Sequence, residues 1–230
     1  SPLMINHMKE KYINIIKKKI VKKNSNILDI GSNDGTFLNF FTKKKFDNLY
    51  AIDPSSKKFK NFYDKKIKLI TSYFSRNEVY NNIEDKKIKF DLITSYAMFY
   101  DIEDPNSFCK DIFNSLSNSG IWILELSYFP LLLKNLTYDQ ICHEHVTYYT
   151  LKTFKKIVEK NNFKIIDVNF NEINGGSIEV FCAKKNSFKK VNNKKIEKIL
   201  LDESKIDTKA YERFNTRVNN VKKVLRNFLT

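Results

Sequence analysis

Two stretches of this 230-residue chain carry residue types that do chemistry. The first runs from Tyr138 to Thr150, YDQICHEHVTYYT, and holds His143 and His145, two of the three histidines, around Glu144. Imidazole titrates near neutrality, and a neighbouring carboxylate raises its basicity or fixes its tautomer. General acid–base work by His145, Glu144 and His143 is therefore one reading. If the segment is extended, both histidines point one way and Glu144 the other. A metal site built on the H-x-H pair is a second reading, with only Cys142 or Asp139 near enough in sequence to add a third ligand. Buried, hydrogen-bonded histidines are a third.

The second stretch is ILDIGSNDGTFLNFF, Ile27 to Phe41. An apolar run ends at Asp29, the chain turns on Gly31 and Gly35, and an apolar helical face follows through Phe37, Leu38 and Phe41. This strand, tight loop and helix form a nucleotide-binding turn, because glycine lets the backbone bend sharply and come close to a ligand. The G-x-x-x-G spacing lacks the third glycine of the dinucleotide fingerprint, which disfavours a nicotinamide dehydrogenase. Asp29 and Asp34 flank the loop, where negative charge would repel a pyrophosphate. They suit instead the cationic, amine-bearing end of S-adenosylmethionine. Asp29, Gly31, Ser32, Asn33, Asp34 and Gly35 are the cofactor candidates here.

These residues need a frame to hold them. A second short strand, Asn48 to Asp53, ends in an acid and is followed by Pro54 and a new helix. A carboxylate closing the second strand about 20 residues beyond such a loop accepts hydrogen bonds from ribose hydroxyls. Asp53 stands at that distance, although Asp53-Pro54 also suits a helix start. Lys66 to Thr71 reads as a third strand. Tyr73 and Phe74 follow at its carboxyl edge, where they would flank an adenine or pack into the core. A fourth strand ends near Ser95, and a loop then carries Tyr96, Met98 and Tyr100 to the same edge. A helix from Pro105 to about Ser117 stops at Asn118-Ser119-Gly120, and Ile121 to Ser127 is a fifth strand. This alternation implies a parallel sheet wrapped on both faces. A helix over Leu151–Asn161 and strands over Phe163–Phe170 and Ser177–Lys185 follow. Between those strands Gly175 and Gly176 make a hairpin turn or a floor against which a substrate approaches the backbone. An N-terminal helical stripe, Leu3 to Val21, packs on the sheet edge or over the cofactor. The segment after Lys190 is helical, charged and more apolar on one side than it can bury alone, so it docks on a neighbouring chain or another domain.

Composition narrows the function classes. With 42% hydrophobic residues the chain can bury one sizeable core. No apolar run reaches the roughly 20 residues of a membrane span, and no signal peptide is apparent at the N-terminus. A cytoplasmic protein without a membrane partner is expected. Three cysteines without a C-x-x-C pair argue for reduced thiols over disulfides or structural zinc. The net charge of +15 invites nucleic acid, but four of the 41 basic residues are arginine and the lysines are spread along the whole chain. A nucleic-acid footprint is a localised patch rich in arginine, so that partner is disfavoured.

Taken together, DIGSNDGTFL, the AID-P-S turn, DLITSYAMFYDIEDP, GIWILELSY, YDQICHEHVTYYTL and NGGSIEVF occur in an order that resembles S-adenosylmethionine-dependent sugar C-methyltransferases. The resemblance covers about Ser1 to Lys185. It implies a class I methyltransferase fold, Rossmann-like, with a mostly parallel seven-stranded sheet, helices on both faces, and N- and C-terminal helices. It implies residues 1–187 as the methyltransferase domain, with 1–22 its N-terminal helix, and 188–230 as a charged helical tail. A homodimer through the C-terminal helices is a further expectation. S-adenosylmethionine is the implied cofactor, a nucleotide-linked deoxy-keto sugar the implied acceptor, and no metal is implied in the site. Asp29, Gly31, Asn33, Asp34, Gly35 and Asp53 look like cofactor positions, joined in our reading by Ser32, Pro54, Tyr73, Phe74 and Ser95. His145 with Glu144 would be the base that takes the proton next to the ketone, and an O-methyltransferase would use the same base on a hydroxyl. Members of the family carry tyrosine where Cys142 stands. They also carry a zinc domain before, and an α/β domain after, the region spanned here, so the chain is expected to be a catalytic core.

Overall fold

A computed structural model describes residues 1–230. Seven strands form one sheet in the order β3-β2-β1-β4-β5-β7-β6. They are β1 (Ile27–Ile30), β2 (Leu49–Ile52), β3 (Ile67–Ile70), β4 (Phe90–Tyr96), β5 (Leu116–Ser127), β6 (Phe163–Asn171) and β7 (Ser177–Lys184). The first five pair in parallel, and β7 runs antiparallel to both β5 and β6. The mostly parallel seven-stranded sheet is thus the expected one. All four residues of β1 and of β2 are buried. That is why these strands read as unbroken apolar runs and show no alternation, since layers cover both faces.

Eight helices supply the layers: α1 (Pro2–Lys17), α2 (Thr36–Thr42), α3 (Arg76–Asn81), α4 (Pro105–Ser115), α5 (Phe129–Asn135), α6 (Leu151–Lys160), α7 (Asn193–Glu203) and α8 (Thr208–Leu229). On one face Ile15 of α1 and Phe37, Leu38 and Phe41 of α2 pack against Ile27, Leu49 and Leu92. On the other, Trp122 lies among Phe99, Phe154 and Phe163, with ring centroids 5.5–6.2 Å apart. The helix expected after Asp53 is present as a 3-10 helix, Ser56–Phe62.

Asn118-Ser119-Gly120 also departs from expectation. The helix ends at Ser115, and these residues lie inside β5. The register with β4 shifts between Phe90 and Leu92, and a Cβ at Gly120 would sit 2.8 Å from the Phe90 carbonyl oxygen. The glycine admits a neighbouring strand and does not close a helix. β1 is flanked by β2 on one side and β4 on the other, so the chain's crossovers leave it in opposite directions. The crevice beyond the carboxyl ends of β1 and β4 is where open α/β sheets take ligands.

Candidate active site

The backbone turns out of β1 with Gly31 at φ 71°, Asn33 at 49° and Gly35 at 74°. At Gly31 a Cβ would lie 3.2 Å from Met98 Cγ, and at Gly35 it would lie 2.6 Å from the Tyr63 ring. Left-handed backbone and close neighbours together explain why glycine stands at both positions. The Asn33 N–H donates to Asp53 Oδ2 at 2.9 Å, while the Ser55 N–H and hydroxyl donate to Oδ1 at 2.6 Å. Asp53 therefore braces the glycine turn from the end of β2. Ser32 and Tyr63 share a hydroxyl–hydroxyl bond of 2.8 Å, and Tyr63 donates to the Asn33 carbonyl at 2.7 Å.

A cavity of about 470 Å³ opens over this turn. Of the sequence-derived candidates, Asp29, Gly31, Ser32, Asn33, Asp34 and Asp53 line it. The other five do not. Gly35 faces Tyr63, Pro54 is exposed, and Tyr73 is 79% exposed. Phe74 packs edge-on against Phe108 with centroids 5.2 Å apart. Ser95 is fully buried and accepts a bond from the Trp122 indole N–H at 2.9 Å. The lining also includes Tyr96 and Met98, which the sequence placed at this edge, and Glu125, which it did not single out, with Met4, Ile5 and Met8 of α1 as a roof.

Four carboxylates and no lysine or arginine line this cavity, in a chain of net charge +15. Asp29 is buried and takes the Thr94 hydroxyl at 2.6 Å. Burial pushes its carboxyl up to about 7, the Thr94 bond opposes that rise, and nearby Asp53 adds to it. A positive charge in the cavity would relieve Asp29. Together with the apolar Met4, Met8, Phe37 and Met98, this lining fits a ligand that is cationic at one end and apolar elsewhere.

Behind the cavity wall lies a buried ionic cluster. His7 Nε2 is 3.0 Å from Glu125 Oε1, and Lys11 Nζ is 2.6 Å from Glu125 Oε2 and 2.9 Å from Glu179 Oε1. The Asn171 amide donates to Glu125 at 2.7 Å. Burial alone would raise the Glu125 carboxyl, but His7 and Lys11 outweigh it and hold it below the usual carboxylate range. The neighbouring Tyr96 hydroxyl is buried without a partner. Burial first, then Glu179, Asp29 and Glu125, pushes that phenol well above its ordinary range.

The histidine segment reaches the same sheet edge by another route. The Phe129 N–H donates to the Tyr149 carbonyl at 3.0 Å, and the Thr147 N–H donates to the Tyr100 carbonyl at 3.1 Å. Tyr100 sits two residues beyond Met98 of the cavity lining, and its ring centroid is 4.3 Å from that of His145. His145 is half-buried, with Nδ1 inside and unpartnered. The segment is not extended. Residues 143 and 144 form a turn that leaves His143 and Glu144 exposed, so the three candidates do not converge. Glu144 is pulled below the usual range by its own backbone N–H and then by the Cys142 thiol. The carboxyl whose charge acts on His145 from the β4 side is Asp101, itself at an exposed position. Burial raises it, His145 draws it down, and Glu144 raises it again. No group of three His, Cys, Asp or Glu residues is arranged to hold a metal ion.

Residues 4–168 match a family model described as a methyltransferase domain, and residues 172–230 match one described as a C-methyltransferase C-terminal domain. The C-methyltransferase NovU of Streptomyces niveus is 27% identical over 157 residues, 68% of this chain and 37% of that protein. The chain thus spans little more than a third of this curated relative. Among solved structures, magnesium protoporphyrin IX methyltransferase ChlM from Synechocystis PCC 6803, with bound SAH, aligns at TM-score 0.57 and 12% identity over 79% of this chain and 83% of that one. The plantazolicin methyltransferase BpumL, solved with a triazolic desmethylPZN analog and SAH, aligns at 0.58 and 16% over 80% and 84%. At these identities the likeness is one of fold. With the first model covering most of its length, the chain belongs to the methyltransferase domain family, and S-adenosylmethionine is the cofactor that goes with that membership.

Proposed function

We propose, from that membership, that the chain is the core of a C-methyltransferase acting next to the keto group of a nucleotide-linked deoxysugar. The observation that carries this is the meeting, at one sheet edge, of an acidic, methionine-roofed cavity and a half-buried imidazole, joined by the Tyr96–Asp101 turn. The name of the NovU relative and the C-methyltransferase description of residues 172–230 support methylation at carbon.

In this reading Gly31 and Asn33 bring backbone close to the cofactor. Asp53 faces its ribose while bracing the turn, and Asp29 with Asp34 receives its amine. When bound, S-adenosylmethionine supplies an electrophilic methyl group. The residues of the chain do the rest. His145 removes the proton from the carbon beside the ketone. Asp101, whose carboxyl is drawn down by His145, stabilises the imidazolium that results. α1 roofs the cavity and excludes water. Fixing two reactants in line contributes roughly 7–11 kcal/mol to lowering such a barrier. Residues 1–187 form the catalytic unit and 188–230 the helical tail. The exposed Val224, Leu225 and Phe228 of α8 support pairing of two copies through that helix.

The test uses methyl-¹³C S-adenosylmethionine and a nucleoside diphosphate-linked 4-keto-6-deoxyhexose. The expected product carries the label on carbon by NMR. His145→Ala should lower kcat at least 10³-fold, in the range of a lost general base, while S-adenosylhomocysteine affinity stays within threefold. A labelled O-methyl group would make the chain an O-methyltransferase. Equal loss of turnover and affinity would make His145 structural.

A further inference from the structure

Proton removal by His145 leaves a charge to be held elsewhere. When the C–H bond breaks, its proton goes to the imidazole and its electron pair moves onto the ketone oxygen. An oxygen gaining charge in this way needs a hydrogen-bond donor fixed beside it. Glu144 is a carboxylate and His143 is exposed in the turn, so neither is placed to serve.

Tyr100 is so placed. It is 6% exposed, its ring lies 4.3 Å from His145, and its carbonyl is pinned by the Thr147 N–H. Its hydroxyl makes no hydrogen bond within the chain. Burial, then the charges of Asp101, Glu125 and Cys142, pushes the phenol above its ordinary range, so at neutral pH it is a donor and not a base. We propose that Tyr100 is a second catalytic residue, donating its hydroxyl to the acceptor's ketone oxygen while His145 removes the neighbouring proton. The phenol keeps its proton throughout. The electron pair held on oxygen returns through carbon to form the new C–CH₃ bond, and the sulfonium donor leaves as a thioether. This inference rests on the keto-acceptor reading above.

Cys142 is among the groups whose charge raises the Tyr100 phenol, and Cys142→Tyr puts a second phenol at that position. The experiment compares the chain with Tyr100→Phe and with Tyr100→Phe combined with Cys142→Tyr, using the same nucleotide-linked 4-keto-6-deoxyhexose. Methyl transfer is followed, together with deuterium uptake from D₂O beside the ketone in the presence of S-adenosylhomocysteine. Tyr100→Phe should slow both by 10²–10³-fold, the usual loss for one such donor, with S-adenosylhomocysteine affinity within threefold. The double variant should recover at least tenfold. A kcat within threefold of the parent chain overturns the proposal, as does an equal loss of cofactor affinity. If Tyr100→Phe does not fold, 3-fluorotyrosine at position 100 replaces it: a changed kcat at constant KM supports the role, and an unchanged kcat overturns it. If the parent chain neither exchanges nor methylates the probe, the keto-sugar reading falls and this inference with it.

Discussion

Asp29 shows how much one residue's surroundings decide. An unfolded aspartate titrates near 3.9, whereas burial holds this one up at about 7. Below about pH 4 the group is protonated in both states. Between that pH and 7 the folded chain keeps a proton that the unfolded chain has released, so the group's contribution to stability is lost as pH rises through 7. Asp29→Asn should therefore remove a stability loss of a few kcal/mol between pH 5 and 8, read as the difference in urea midpoint. Parallel curves for the two proteins would contradict it. The same group makes cofactor binding pH-dependent. An ammonium in the cavity favours the ionised form, so affinity for S-adenosylhomocysteine should rise from pH 6 to 8 in the parent and stay flat in Asp29→Asn. At this scale the sequence was readable wherever a residue acts through its immediate neighbours. Asp29, Gly31, Asn33, Asp34 and Asp53 meet at the cavity because they sit at or just beyond the carboxyl ends of β1 and β2. Ser95 was not readable, since a serine ending a strand looks the same whether it faces a ligand or, as here, Trp122.

Elements were read well where burial imposes a pattern and poorly where a contact is distant in sequence. The strands β1 and β2, which position Asp29 and Asp53, read as apolar runs because both faces are covered. Nothing local announces that Glu125, a lone carboxylate in ILELS, receives His7 from 118 residues away. The available signal was a charge inside an otherwise apolar strand, which is buried only when paired. This cluster fastens α1 over the cavity, and Lys11 is its centre because it serves two carboxylates. Breaking a buried pair by removing one partner costs about 3–5 kcal/mol. Lys11→Met should lose that much by denaturant unfolding and should weaken S-adenosylhomocysteine binding as the roof loosens; a loss under about 1 kcal/mol, the size of an exposed pair, would contradict this. The glycines of the β6–β7 connection carry a similar lesson. A Cβ at Gly175 would lie 2.1 Å from Thr137 Cγ2, and one at Gly176 would lie 2.6 Å from Leu131 Cβ. They turn the β6–β7 hairpin at φ 76° and 125°, as the hairpin expectation has it, and in addition they admit α5 and the residues after it.

Over the whole molecule, an excess of positive charge surrounds an acidic hollow. Fifteen net positive charges are spread over the chain, while the cavity presents Asp29, Asp34, Asp53 and Glu125. That contrast, more than any single contact, suits a cationic methyl donor. No helix is long and apolar enough to cross a membrane. The C-terminal α8 leaves Phe228 84% and Leu229 73% exposed, a surface that the proposed pairing of two copies would cover. The most direct measurement is calorimetric titration of the chain with S-adenosylhomocysteine, beside its Asp53→Asn variant. One site per chain with Kd in the micromolar range, weakened at least tenfold in Asp53→Asn, is the predicted result. An absence of binding heat at millimolar ligand, or identical affinities in the two proteins, would contradict it.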